Sequence, residues 1–268
     1  GGRPGGHDDS APEWLDAAAA VTGALGSVET TAQLHPARFT EALIAAALAR
    51  GAALRLGVVE DVVCRAGAAC GVTVDGTLVG ADAVVLAMGP WTGRVAGIPP
   101  LPRVHGLKGH SVTLAVPGVP AHALFMDYRM TDGRRLEPEI FPRPDGEVYV
   151  CGMADPEPLP NSPEAVSVSA EACAVLARAA GRVSSRLAAA PITRRQACYR
   201  PVTDDGLPLI GPVPGVSGAF VATGHGPWGM LNAPATGQAL AELIAEGAAS
   251  TVDLRAFDPA RLAPVRTR

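Results

Sequence analysis

The sequence has no excess of positive charge, no long apolar run and no paired-cysteine motif, and each absence removes a class of function. Of its 268 residues, 22 are Lys or Arg and 26 are Asp or Glu, for a net charge of −4 with the basic residues scattered. Nucleic acid and anionic membrane surfaces are recognised through clustered cations, so neither is expected as a partner. No uninterrupted apolar stretch approaches the ~20 residues that a membrane-spanning helix needs. The cysteines Cys64, Cys70, Cys151, Cys173 and Cys198 show neither C-x-x-C nor a Cys/His metal spacing, so no metal site is expected. An odd count without a framework suggests reduced, mostly buried thiols in an intracellular setting. Gly1 to Pro12 is Gly-rich and polar, with no signal-peptide hydrophobic region. No Ser-His-Asp or Cys-His arrangement can be argued from order or spacing.

What is present is a chain long enough to bury a real core, as one large domain or two modest ones. His35 to Gly51 reads as a helix, with Pro36 in its first turn, apolar residues at Phe39, Leu43, Ala46 and Ala47, and Gly51 as its stop. A strand from Ala53 to Val59 and an antiparallel meander turning at Asp75-Gly76 follow. The run Ala83-Val84-Val85-Leu86-Ala87 fits a strand covered on both faces, as in a parallel sheet. From Pro99 the texture changes to short strands joined by Pro/Gly-rich turns, with Asp145-Gly146 the clearest hairpin signal. Ser162 to Ala190 reads as a long helix with Gly181 as its weak point, and Ile192 to Tyr199 as a strand. A strand at Ala219 to Thr223 and a last helix close the pattern.

Strand–helix segments at both ends around an antiparallel insertion predict an α/β (α+β) fold. The expected division is an irregular or disordered segment over 1–29, a discontinuous Rossmann-like nucleotide domain over 30–98 and 200–248, a substrate domain over 99–199 and a tail over 249–268. Gly224-His225-Gly226-Pro227-Trp228-Gly229 spells G-x-G-x-x-G between that last strand and helix. A phosphate-binding role requires a further strand and an acidic residue about 20 positions on. Neither follows here, so the loop is expected to meet some other part of a cofactor.

Several motifs occur in one order: Thr31-Ala-Gln-Leu-His-Pro36, Asp82-Ala-Val-Val-Leu-Ala-Met-Gly-Pro-Trp91, Gly106-Leu-Lys-Gly-His110 and Glu139-Ile-Phe-Pro-Arg-Pro-Asp-Gly146. Tyr199-Arg-Pro-Val-Thr-Asp-Asp-Gly-Leu-Pro-Leu-Ile-Gly211, Thr223-Gly-His-Gly-Pro-Trp-Gly229 and Ala233-Pro-Ala-Thr-Gly237 complete the set. Together they resemble the FAD-dependent D-amino-acid oxidase/glycine oxidase superfamily over roughly residues 30 to 248. The family's N-terminal strand–G-x-G-x-x-G–helix, which binds the ADP half of FAD, has no match before His35. The Rossmann-like domain is therefore expected to be incomplete, and the chain a fragment.

The resemblance implies FAD as cofactor. Its ring and ribityl chain would run beside Gly224, His225, Gly226, Trp228, Gly229 and Met230. Backbone at Ala87 and Gly89 would pass the cofactor, and Val59 would meet the adenine. Glycines allow close approach to a flat ring, and a helix N-terminus favours the negative charge that reduction places on it. For Val59, Ala87 and Gly89, ordinary strand-end and core roles stand equally open. Arg200 matches the arginine that pairs with the substrate carboxylate; a structural salt bridge to Asp204 or Asp205 is the alternative. His225 could donate to the flavin or present only its backbone N–H. Lys108 reads as a surface lysine, with a place near the flavin as the other possibility; Tyr128 and Tyr149 read as packing residues that could line the substrate site. The implied activity is oxidation of an amine or amino acid by hydride transfer to flavin N5, with dioxygen as acceptor. A non-catalytic interaction module without flavin, and a dehydrogenase with another acceptor, remain as alternatives.

Overall fold

A computed structural model of the protein describes residues 11–130, 132–155, 157–262 and 264. The elements run in the order α1 (Pro36–Leu48), β1 (Val59–Arg65), β2 (Ala68–Val74), β3 (Thr77–Gly80), β4 (Val84–Leu86), β5 (Val104–Ala115) and β6 (Leu124–Phe125). β7 (Tyr128–Arg129), β8 (Arg135–Leu136), β9 (Glu139–Pro142), β10 (Glu147–Asp155), α2 (Ala170–Val183) and α3 (Ser185–Ala188) follow. β11 (Ile192–Thr203), β12 (Leu209–Pro212), β13 (Ala219–Thr223) and α4 (Gly229–Glu246) complete the set. The described residues form two units, one from Gly1–Gly51, Gly109–Asp155 and Val166–Cys198, the other from Ala52–Lys108, Pro156–Ala165 and Tyr199–Arg268.

The first unit is built on a five-stranded sheet of order β11-β5-β10-β9-β6. Alternation along β5 and β10 sends Val112, Leu114, Val148 and Val150 to one face, where they pack with Cys173, Leu176 and Leu187. Trp14, 2% exposed, fills the same core from the irregular N-terminal segment. The helix expected over Ser162–Ala190 is shorter and divided. Ser169 caps α2 by accepting from the Ala172 N–H at 3.1 Å. The break falls at Ser184, in extended backbone, rather than at Gly181. Ser184 Oγ donates to the Trp14 carbonyl at 2.7 Å, and the Asp16 carboxylate accepts from the Ser185 N–H at 2.8 Å. A tertiary contact thus supplies the hydrogen bonds that a continuing helix would have used. α1 begins at Pro36 and ends at Leu48, three residues before the left-handed Gly51 (φ +94) that turns the chain away, yet none of its residues is buried.

The second unit carries two small sheets. β1-β2-β3 is the expected antiparallel meander, and its Asp75-Gly76 turn has φ +49 and +71, the left-handed pair that a two-residue hairpin requires. No strand forms over Ala53–Val58, where a strand was expected. Among the described residues only Val58 finds backbone company there, exchanging bonds with Asp75. In the second sheet β12 runs antiparallel to β13, and β13 runs parallel to β4. Val84, Leu86, Leu209, Ala219 and Val221 form its core with Val62, Val213 and Val216. Val85, between two buried neighbours, is 41% exposed. Within the described residues β4 is therefore covered on one face only, not on both as its apolar run suggests.

Beyond α4, side-chain bonds tie the chain down ahead of two 3-10 turns at Arg255–Phe257 and Pro259–Arg261. Glu242 accepts from the Ser250 and Thr251 N–H groups at 2.7 and 2.9 Å. With the Thr251 hydroxyl as the leading cause, these bonds hold its carboxyl down at about 2.

Candidate functional site

Parallel β4 and β13 end side by side, with Val221 opposite Leu86. In open α/β sheets the carboxyl ends of parallel strands leave a crevice where ligands bind. Here Thr223 Oγ1 donates to the Gly89 carbonyl at 2.8 Å, and Thr92 Oγ1 donates to the same oxygen at 2.7 Å. The two strand ends are thereby locked, and Gly224–Gly229 leaves β13 beside Ala87–Gly89.

The glycines of this crevice have separate reasons to be glycine. Gly224 (φ +83) is enclosed: a Cβ there would lie 2.8 Å from Thr203 Cγ2 and 3.3 Å from Pro208 Cα. Gly89 and Gly226 (both φ +56) face open space, with nothing within 4 Å of where a Cβ would stand. Left-handed backbone and a missing Cβ together present bare peptide edges that a flat group can approach. Gly226–Trp228 forms a single 3-10 turn that runs into α4, and no side chain caps that helix. Trp228 is 64% exposed at its mouth.

His225 is tied to this frame by its ring. Nε2 lies 3.0 Å from Thr236 Oγ1, linking the loop to the second turn of α4. Burial alone pushes the imidazole below its usual 6.5, so the ring is neutral near pH 7. The unfolded chain therefore binds the proton more readily than the folded one, and stability falls as pH drops through 6.5. His225→Asn is expected to flatten that acid-side loss, as read from urea midpoints across pH 5 to 7. An unchanged slope would show that the ring is not the group responsible.

Arg200 sits near the end of β11, held on both sides. Tyr199 Oη donates to the Pro158 carbonyl at 2.9 Å, and Thr203 Oγ1 donates to the Leu207 carbonyl at 2.6 Å. Thr203 is also the residue that abuts Gly224, so this strand end adjoins the glycine loop. The half-buried guanidinium has no hydrogen-bond or ion-pair partner among the described residues. The alternative salt bridge is not made. Asp205 accepts two bonds from Arg261, at 2.7 and 3.0 Å, which hold its carboxyl well below the usual range, and Asp204 lies 3.7 Å from His105.

The other candidates separate. Ala87 and Gly89 follow β4, and Gly224, His225, Gly226, Trp228, Gly229 and Met230 follow its parallel neighbour β13. Val59 opens β1 in the other small sheet of the same unit. Lys108 is not a surface residue. It is fully buried on the inward face of β5 and paired with Glu157, because the strand's alternation turns it inward with His110 and Val112. Tyr149 belongs to the first unit, 6.4 Å from Phe141 and 5.1 Å beneath Arg143. Burial, then the neighbouring Cys151, pushes its phenol up to about 12, so it stays protonated. No cluster of His, Cys, Asp or Glu among the described residues could hold a metal ion. Among the described residues no helix is long and apolar enough to cross a membrane.

Thr92, Thr203, Thr223 and Thr236 were not singled out in the sequence, although all four brace the site. A lone threonine at a strand end or inside a helix has no signature until its partner is folded beside it.

A parallel strand pair ending in a glycine-edged crevice, with an uncapped helix leaving it, defines an α/β cofactor-binding protein. The chain belongs to the DAO family of FAD-dependent oxidoreductases, whose model it matches over residues 4–243. It is 33% identical over 276 residues to TDA3 of Saccharomyces cerevisiae, a protein named only as an oxidoreductase, covering 88% of this chain and 52% of that one. It is 31% identical over 190 residues to glycine oxidase of Pseudomonas putida, covering 70% of this chain and 47% of that one. The glycine oxidase structure from Geobacillus kaustophilus superposes with a TM-score of 0.69 at 27% identity, over 83% of this chain and 57% of that one. The chain thus spans about half the length of the curated relatives it matches.

Proposed function

We propose that the crevice at the ends of β4 and β13 receives the isoalloxazine ring of FAD, and that the protein oxidises an amine or amino acid. The observation that carries the reading is the pair of left-handed glycines, Gly89 and Gly226, each with open space where a Cβ would stand, in the turns that follow the parallel strands β4 and β13. A flavin ring is flat, largely apolar and negatively charged when reduced, and a Cβ-free backbone edge with a helix N-terminus suits all three properties. When bound, FAD supplies the two-electron acceptor for a hydride from the substrate's α-C–H.

Everything else falls to the chain's own groups. Arg200, without a partner among the described residues, grips the substrate carboxylate through two parallel N–H···O bonds and fixes which face of the α-carbon is presented. Neutral His225 holds the loop against α4 through Thr236 and places no positive charge beside the ring. Pro227 and Trp228 limit water at the mouth. No side-chain base is needed in the crevice if the substrate amine enters deprotonated. Dioxygen is the proposed final acceptor, and glycine oxidase as a relative supports a small amino acid or secondary amine as substrate.

The test uses the product of the complete gene, loaded with FAD. Anaerobic addition of glycine, sarcosine or D-alanine is expected to bleach the oxidised-flavin absorbance, and air to restore it with one peroxide per turnover. A protein that takes up no FAD, or whose flavin none of a broad set of amines reduces, would overturn the reading. Reduction without peroxide on re-aeration would replace dioxygen by another acceptor.

A further inference from the structure

The first unit contains a cleft of about 580 Å³, open to solvent and lined only by residues of that unit, that the proposed reaction does not use. Its walls come from α2, α3, β7 and the ends of β5 and β11. Leu114, Val175, Leu187 and Ile192 make an apolar floor, and the first three of these are almost wholly buried. Gly181 and Ala188 line the cleft where α2 and α3 come close. A Cβ on Gly181 would already lie 3.0 Å from the Ala188 methyl, so small residues at both positions set the width.

The rim is cationic. Arg178 and Arg182 both line the cavity and stand one helical turn apart on α2, which places them on one face. Neither makes an ion pair or side-chain hydrogen bond among the described residues, and no acidic residue lines the cavity. The acids nearest in the chain to Tyr128, which lines the opposite side, are already engaged. Asp127 accepts from Arg135 at 2.8 Å, and Asp132 accepts from Arg134 at 2.8 Å. An apolar floor of ligand-pocket size beneath two uncompensated guanidinium groups is complementary to one kind of molecule.

We propose that this cavity binds a small amphipathic carboxylate, its head held by Arg178 and Arg182 and its unbranched apolar tail laid over Leu114, Val175, Leu187 and Ile192. Neutral and short-chain analogues satisfy only half of the site. The cavity lies wholly within the first unit, so the proposal stands or falls independently of flavin binding.

The experiment is calorimetric titration of the protein with decanoate below its micelle concentration, beside decanol and acetate. Decanoate is expected to bind one per chain. Decanol and acetate should each bind at least about tenfold more weakly, the difference expected for losing either the charged bonds or the buried tail. Arg178→Gln/Arg182→Gln should weaken decanoate by about tenfold or more while leaving decanol unchanged. Ala188→Phe, at an exposed position, should fill the opening and abolish both. Unchanged melting temperatures certify that the variants fold. Decanoate binding that is absent from the wild type, or that is equal in the double arginine variant, overturns the proposal. So does binding confined to vesicles of an anionic lipid, which would make the arginines a surface for headgroups instead.

Discussion

Arg200→Met should lower kcat/KM for an amino-acid substrate by roughly 100-fold in the FAD-loaded protein, the equivalent of about 3 kcal/mol for two charge-assisted hydrogen bonds. Arg200→Lys should recover only part of this, because an ammonium cannot reproduce the planar, two-pronged grip on a carboxylate. The ordinary cost of removing a half-buried arginine is a broken ion pair, but Arg200 makes none among the described residues. Asp205 is satisfied by Arg261, and Asp204 lies beside His105. Both variants should therefore keep the wild-type unfolding midpoint within about 0.5 kcal/mol. The decisive control is an amine of similar size without a carboxylate. If its turnover falls as far as that of the amino acid, Arg200 supports the site as a whole and does not recognise the carboxylate.

Trp14→Ala should cost the first unit about 3–5 kcal/mol, the range for truncating a fully buried aromatic. Trp14 lies in a segment with no regular structure, yet it is the largest buried side chain of a core that also holds Val112, Leu114, Leu176 and Leu187. Its carbonyl accepts from Ser184 at the break between α2 and α3, and Asp16 secures the next residue. Loss of the ring should thus loosen the helix pair along with the core. Urea unfolding followed by far-ultraviolet circular dichroism would register both. Trp228→Ala is the matched comparison, because that ring is 64% exposed and its removal should leave stability within about 0.5 kcal/mol. Equal losses in the two variants would contradict the assignment of Trp14 to the core.

Much of the local structure was legible in the chain because it rests on local chemistry. Pro36 and Gly51 bracket α1, Asp75-Gly76 turns the meander, and the glycine loop leaves a strand and opens a helix, each for reasons confined to a few residues. The ordered motifs from Thr31 to Gly237 sufficed to place the chain among FAD-dependent oxidoreductases, since a family is recognised by residue types in order and needs no coordinates.

Tertiary structure decided whatever depends on a partner distant in sequence. The apolar run at Ala83–Ala87 proclaims a buried strand, yet Val85 lies open, because burial is a property of neighbours and not of the run itself. Lys108 reads as a solvated cation, but the pairing of β5 turned it inward to meet Glu157 from 49 residues away. The long helix after Ser162 breaks at Ser184, because Trp14 and Asp16 take the bonds that would have continued it. Arg200 offered two fates of similar weight; the distant Arg261 claims Asp205 and Asp204 lies beside His105, so among the described residues its guanidinium is left unpaired. Sequence alone determined which groups the chain carries and how each short segment turns. Folding decided which of those groups were consumed by one another and which were left to face a ligand.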